Sequence, residues 1–281
     1  MVAVLVLYQR GPVESESFNS LLALARSRPE LVRGMDLLVW DNSPEAHAVP
    51  AAPMRMRYRS APGNAGLRPA YEEGLRMARE AGAEWLLLLD QDTVLTMEFL
   101  EELRSTLPGM PAEVGAVVPK LVYAKGVHSP HLRPRMSHGT VAAGFCGMAH
   151  GEVSAFNSGA AMRVSAVTGA GGFPEAFPME YLDHAMFRAL QAAGGRVWVM
   201  RSSLEHDLST VRLRGEASLA RYRRVLRAER DFYRSGGAAD RAWYRLRRLK
   251  QGAGHLVKVA DKRFALWDAR AALGWLGSED G

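Results

Sequence analysis

Two aspartates stand two residues apart in "WLLLLDQDT" (85–93), directly after a run of apolar residues. On an extended strand such residues share a face, about 6.6 Å apart along it. Like charges that close repel, and a divalent cation between them removes the conflict. Mg2+ or Mn2+ suits the pair, because these ions take one or two carboxylates and complete their shells with water and phosphate oxygens. An EF-hand loop also opens D-x-D, and Glu101 falls at its twelfth position. Leu95 stands where that loop needs glycine, however, and Val94 where it needs a third ligand. That reading fails. Helix capping is the remaining role, with Asp92 or Thr93 serving the helix that follows.

Other polar residues fall in comparable places. "LLVWDNSP" ends a second apolar run in Asp41. "PGNAGLRPAYEEG" takes a glycine-rich turn into a helix start, where backbone N–H groups favour an anion or a polar ligand. It is not the G-x-G-x-x-G of a dinucleotide fold. "SLEHDLS" carries His206, a borderline metal ligand in a setting that equally suits a surface histidine. Cys146 is the single cysteine, so no internal disulfide forms and a reducing compartment fits.

The elements that must hold these residues follow from periodicity. "VAVLVL" (2–7), "DLLVW" (36–40), 85–89, "VGAVV" (114–118) and "RVWVM" (196–200) read as strands, several of them apolar on both faces. "MRMRY" (54–58) alternates and belongs nearer an edge. Helical patterns intervene at "SFNSLLALARS", "AYEEGLRMAREAG" and "MEFLEELRSTL", and "PMEYLDHAMFRALQAAGG" reads as a loop entering a helix that stops at glycine, with Asp183 expected just before that helix. Strand–helix alternation of this kind implies an α/β fold with a largely parallel sheet. Ligands bind such sheets beyond the carboxyl ends of the strands, where Asp41, Asp90 and Asp92 fall. Residues 119–155, rich in Gly, His and Pro, read as loops or short strands over one end of the sheet.

Charge divides the chain. Residues 212–250 hold thirteen Arg/Lys against four Asp/Glu, a net of +9 in a protein of net +6. The remainder is therefore about three units negative. Leu219, Tyr222, Leu226 and Tyr233 can share one helix face amid this basic run, the pattern of a membrane-surface helix. No nucleic-acid-binding motif accompanies it, so nucleic acid is not an expected partner. We expect two parts, a 1–211 catalytic domain and a 212–281 basic helical segment. No secretory signal opens the chain and no apolar run approaches the roughly 20 residues that span a bilayer. The expectation is a soluble cytoplasmic protein, with peripheral contact at the inner membrane face through the basic helices.

Taken in order, "VAVLVLYQR", "VWDNSP", "NAGLRPAYEEG", "LLLLDQDT", "NSGAAM", "GGFPEAF", "MEYLDHAMFRALQAAGG" and "LEHDLS" resemble a family 2 glycosyltransferase of GT-A fold, most closely the bacterial rhamnosyltransferases. The resemblance spans residues 2–209. It implies a Rossmann-like, mostly parallel sheet flanked by helices, and a role for each motif residue. Asp41 would bind the nucleobase beside Tyr8, and Asn64 with Gly66 would line the nucleotide pocket. Asp90 would meet the ribose or the metal, Asp92 the metal that bridges the diphosphate, and His206 would lie near both. Asp183 would be the general base of an inverting transfer, with Glu180 its rival. The sequence departs from the pattern at Ala185, often acidic, at Arg188, one residue early, and at Glu72, often asparagine.

The implied activity moves a sugar from a nucleotide-sugar donor, dTDP-rhamnose or a UDP-sugar, to a glycan or lipid-linked acceptor in cell-surface polysaccharide synthesis. The alternatives are a family 2 transferase using another sugar nucleotide, and a non-catalytic sugar-nucleotide-binding or scaffold protein. A sugar-phosphate nucleotidyltransferase would want a basic glycine-rich loop near the start, and "LYQRGPVES" is a poor match.

Overall fold

The continuous apolar runs at 2–7, 37–40 and 85–89 have water on neither face, so helices must cover the sheet on both sides. The computed structural model describes residues 1–123, 126–132, 139–205 and 215–276, and shows this arrangement. The strands are β1 (Val2–Leu7), β2 (Asp36–Asp41), β3 (Met56–Ser60), β4 (Trp85–Asp90) and β5 (Val114–Tyr123). Short strands follow as β6 (Gly126–Ser129), β7 (His131–Leu132), β8 (Gly139–Thr140), β9 (Gly147–Met148) and β10 (Val153–Ser154). The last two are β11 (Ala160–Arg163) and β12 (Arg196–Glu205). Among the described residues the main sheet runs β3-β2-β1-β4-β11-β5-β12-β9, with β6 on β5, while β10, β7 and β8 form a small second sheet.

Register places the candidate residues on one edge. The parallel pairing of β1 with β2 and β4 sets Leu7 opposite Asp41 and Val6 opposite Asp90. Tyr8, Asp41 and Asp90 thus leave the sheet side by side. Inside the sheet β11 breaks the expected parallel order: it enters antiparallel between β4 and β5, with Ala160 opposite Leu88, while the short β9 and β6 also pair antiparallel, on β12 and β5. The preceding residues, Asn157 and Ser158, therefore reach the same carboxyl edge. β3 is the edge strand that its alternation implied, with a matching alternation of exposure.

Helices α1 (Glu16–Ser27) and α3 (Met97–Thr106) share one core with Leu5, Leu7, Leu37, Val39, Leu87 and Leu89. Neighbouring strand residues point the other way, under α2 (Arg68–Glu80). A side chain on Gly74 would stand 2.1 Å from Val4 Cγ2, so glycine is what lets α2 lie close to β1. α4 (Val164–Gly169) and α5 (Leu182–Ala192) follow in the chain, and Leu190 of α5 closes on Gly115 of β5.

The chain separates into two units, Met1–Asp207 and Leu208–Gly281. The second contains α6 (Gly215–Arg234), α7 (Ala238–Lys258) and α8 (Arg263–Leu273). Its core corrects one expectation from the sequence. Leu219, Leu226 and Tyr233, the apolar face on the first basic helix, are buried with Phe232, Tyr244, Phe264 and Trp267. That face is this unit's packing surface. Arg223 lies over the Trp267 ring at 4.4 Å, and Arg230 Nη1 donates to the Leu276 carbonyl, so part of the basic run serves the unit itself. No helix among the described residues is long and apolar enough to cross a membrane.

Candidate active site

The turn carrying Asp90 and Asp92 is held by the start of α1. The Ser15 hydroxyl donates to the Gln91 carbonyl at 2.9 Å, and the Ser17 hydroxyl donates to the Asp90 carbonyl. The Thr93 N–H returns to Ser17 Oγ at 3.2 Å, and both serines are fully buried. Gln91 Oε1 accepts the Tyr8 N–H at 2.8 Å, which joins the ends of β1 and β4. Capping is removed as an explanation for the aspartates, because α3 is capped by Thr96, whose side chain accepts from the Phe99 N–H. Asp90 Oδ2 instead accepts from the Ser158 hydroxyl, and Asp92 Oδ1 is shielded from solvent.

Asp41 is fully buried and its oxygens are engaged. Oδ1 accepts the Ser43 N–H at 2.9 Å, and Oδ2 accepts the Tyr58 hydroxyl and a bond from His47 Nδ1, each at 2.7 Å. Burial would raise its pKa, but the bonds from Ser43, His47 and Tyr58 outweigh it and hold the carboxyl below the usual range. An ionised carboxylate has no proton to give, so His47 Nδ1 is the donor, and in the neutral ring Nε2 is then the acceptor. The His47 ring packs against Gly11, in the loop after β1. His47 was missed in the sequence, where it stands alone in a loop between Ala46 and Ala48.

The glycine turn does not present the free helix start that its sequence suggested. The N–H groups of Leu67 and Arg68 both donate to the Pro178 carbonyl, at 2.8 and 3.0 Å, and Pro69 has none. Arg68 Nε also donates to the Phe173 carbonyl, and Glu72 Oε1 accepts the Phe173 N–H at 2.7 Å. Glu72, off pattern in the resemblance, thus ties α2 to the loop that leads into α5. Gly66 sits at φ 91°, and a Cβ there would stand 2.3 Å from the Pro178 carbonyl oxygen. We expect Gly66→Ala to cost about 1–3 kcal/mol of stability through this clash and the strained backbone. Denaturant titration against wild type measures it.

The loop so anchored delivers Asp183. It lies in the first turn of α5, one residue inside the helix rather than before it, and its Oδ1 accepts the His184 N–H at 2.7 Å. Tyr181, the N-cap, has φ 65°, and its ring meets that of His184 at 4.8 Å. Gln9, Asn64 and Tyr181 are the non-glycine residues with positive φ among the described residues, and all border the carboxyl edge of the sheet. Such backbone costs roughly 1–3 kcal/mol per residue and gathers where geometry serves a site. Ala185 is buried within α5, so an acid there would face the protein interior. Arg188 pairs loosely with Glu152 at 3.8 Å, and Glu180 Oε1 is buried.

Tyr71 links the two halves of the site. Fully buried on α2, it has a pKa well above the usual value, through burial first and then the charges of Asp90 and Asp183. It stays protonated, a neutral hydroxyl set among two carboxylates and Asn157. At an apolar position of an amphipathic helix it reads from sequence as an ordinary core residue.

Tyr8 is partly exposed at the end of β1, and Asn64 precedes Gly66 in the turn. His206 lies outside the described residues. Among those described, no group of three or more His, Cys, Asp or Glu is set to hold a metal. Asp90 and Asp92 are two carboxylates two residues apart at the end of β4, the donor type that Mg2+ or Mn2+ takes alongside phosphate oxygens and water.

A mostly parallel sheet with an inserted antiparallel strand and flanking helices gives this chain the GT-A fold seen in glycosyltransferases. It is similar to S. aureus TarS 1-349 in complex with UDP-GlcNAc, with TM-score 0.57 and 14% identity, over 98% of this chain and 80% of that one. It is also similar to GalNAc-T7 with UDP, GalNAc and Mn2+, with TM-score 0.58 and 12% identity, over 99% of this chain and 56% of that one. At such identities the likeness carries the fold. No protein-family model matches the chain, and no curated protein matches it.

Proposed function

We propose that the protein is an inverting glycosyltransferase that uses a nucleotide-sugar donor. The observation that carries this reading is that the charges of Asp90 and Asp183, from β4 and α5, both act on the buried Tyr71 hydroxyl, with Asp92 two residues beyond Asp90. The nucleotide lies over the ends of β1 and β2, against Tyr8, Asn64 and Gly66. Asp41 serves the base through His47, whose Nε2 can accept a ring N–H of uracil or thymine. A divalent metal, Mg2+ or Mn2+, would be held by Asp90 and Asp92, with His206 as a third candidate. When bound it would neutralise charge on the departing diphosphate.

Asp183 takes the proton of an acceptor hydroxyl as that oxygen attacks the anomeric carbon. The new carbon–oxygen bond forms on the face opposite the breaking bond, whose electron pair leaves with the nucleoside diphosphate. Configuration inverts in this single displacement. Tyr71 remains protonated and separates the charges of Asp90 and Asp183. The acceptor enters beside Tyr181 and His184. Rhamnose from dTDP-rhamnose is the donor sugar that the sequence motifs favour, with a UDP-sugar as alternative. The acceptor is a glycan or lipid-linked glycan of a surface polysaccharide, reached from the inner membrane face through the basic C-terminal helices. The domain division at 211/212 assigns this chemistry to the first part and the membrane contact to the second.

The scaffold reading rested on Ala185. Its burial weakens that reading, since position 185 could not offer a carboxylate to an acceptor.

Calorimetry with dTDP- and UDP-sugars, with and without Mg2+ or Mn2+, tests the proposal. We expect a metal-dependent gain in affinity for one of them, and slow donor hydrolysis when no acceptor is present. Asp92→Asn should remove the metal-dependent gain while leaving the protein folded. Residues behind a metal ligand are worth about 10–100-fold in metal affinity, so the ligand itself is worth at least as much. Full metal-dependent binding by the variant would reject Asp92 as a ligand.

A further inference from the structure

The C-terminal unit has an apolar helix face that its own packing does not use. On α7, Leu246, Leu249, Leu256 and Val257 are 63, 52, 57 and 82% exposed, and Ala253 between them is exposed as well. At 3.6 residues per turn these five fall within an arc of about 100°. The opposite side of the helix holds Tyr244, Arg248 and Gly252, which are buried. The helix is thus amphipathic in two senses: one face fills the unit's core, and a second apolar stripe faces solvent.

Charge selects what covers that stripe. Arg245 falls at one margin and Lys250 at the other, with Arg241 and Lys258 further round, and all four are exposed. From Arg241 to Ala260 the chain has no acidic residue. A second copy of this helix would bring like charges to the same margins. A polyanionic surface with an apolar interior satisfies stripe and margins together. Leu266, Leu273 and Trp275 add exposed apolar side chains on and just after α8.

We infer that the exposed face of α7, centred on Leu246, Leu249, Leu256 and Val257, is a docking surface for an anionic lipid bilayer. It lies in the plane of the headgroups with its apolar residues in the acyl boundary. This deepens the membrane contact proposed above and moves it from α6, whose apolar residues are buried, to α7. The helix lies on the membrane and does not span it.

Vesicle sedimentation with the full chain tests the surface. Wild type should bind mixed phosphatidylcholine–phosphatidylglycerol vesicles, more weakly as salt rises, and bind pure phosphatidylcholine vesicles poorly. Leu246→Glu with Val257→Glu should weaken binding on the order of ten-fold or more. Arg245→Gln with Lys250→Gln should weaken it by about ten-fold, on the anionic vesicles alone. All four positions are exposed, so the fold should survive, and circular dichroism checks it. Wild type that stays in solution with anionic vesicles, or double variants that bind as wild type does, would overturn the inference. So would a wild-type dimer in light scattering that the Leu246/Val257 variant dissolves without any vesicle binding, since a second copy would then own the face. Donor affinity measured in parallel without lipid separates the two proposals, because a lack of donor binding counts against the transferase reading alone.

Discussion

Asp183→Asn should lower turnover with the true acceptor by about 10²–10⁴-fold, the usual worth of a general base. That corresponds to roughly 3–5 kcal/mol of transition-state stabilisation. The substitution isolates proton transfer for a structural reason. Oδ1 of Asp183 accepts the His184 N–H inside the first turn of α5, and an asparagine carbonyl oxygen can keep that bond. The helix start, the Tyr181 turn and the clamp between Pro178 and α2 therefore remain. What is lost is a carboxylate able to take a proton. Donor affinity should stay within a few-fold of wild type, because the nucleotide and metal candidates sit on β1, β2 and β4. The measurement is paired, with donor affinity by calorimetry and turnover by product formation. Near-normal turnover would move the base to Glu180. Lost donor binding would make Asp183 part of the donor site.

The second large effect lies in the C-terminal unit. Asp268 is fully buried, with Oδ1 accepting from the Tyr222 hydroxyl at 2.6 Å and from Arg248 Nη1 at 3.1 Å. His255 Nδ1 meets Oδ2 at 2.7 Å. Glu229, also buried, pairs with Arg247 at 2.6 Å and with Arg248 at 3.3 Å. Burial opposes the charge on Arg248, yet Glu229 above all, then Tyr222 and Asp268, hold its pKa above the usual value. Asp268→Ala strips this buried cation of one counter-charge and three donors of their acceptor. We expect about 3–5 kcal/mol of destabilisation, the range for breaking a buried pair from one side. Denaturant titration of the full chain reads it as an earlier transition of the C-terminal helices. Asp268→Asn, which keeps hydrogen bonding without the charge, should fall between alanine and wild type. A loss under about 1 kcal/mol for alanine would mean that water enters the network and supports Arg248.

Much of the fold was legible because burial writes itself into local pattern. A strand covered on both faces must be apolar throughout, and β1, β2 and β4 are; helices between them must be amphipathic, and α1, α2 and α3 are. The polar residue ending each strand marks the carboxyl edge, so Asp41, Asp90 and Asp92 could be singled out before any coordinates. Position in the chain could not say what those residues touch. The antiparallel entry of β11 between β4 and β5 depends on pairing between segments 44 to 78 residues apart, which periodicity does not encode. It alone brings Ser158 to Asp90. His47 and Tyr58 take the Asp41 oxygens through a loop whose course no local rule specifies, and Pro178 takes the N–H groups of the α2 start from over a hundred residues away. Tyr71 is a core residue by position and by burial, yet the charges of two carboxylates from distant segments act on its hydroxyl. Amphipathicity tells which side chains share a face and is silent on what covers it. That is why the apolar face of α6 proved to be packing while the exposed one lies on α7. The sequence by itself determined the elements and the residues able to do chemistry. The tertiary structure decided their partners, because hydrogen bonds and burial depend on distance in space, and the chain brings remote segments together only when it folds.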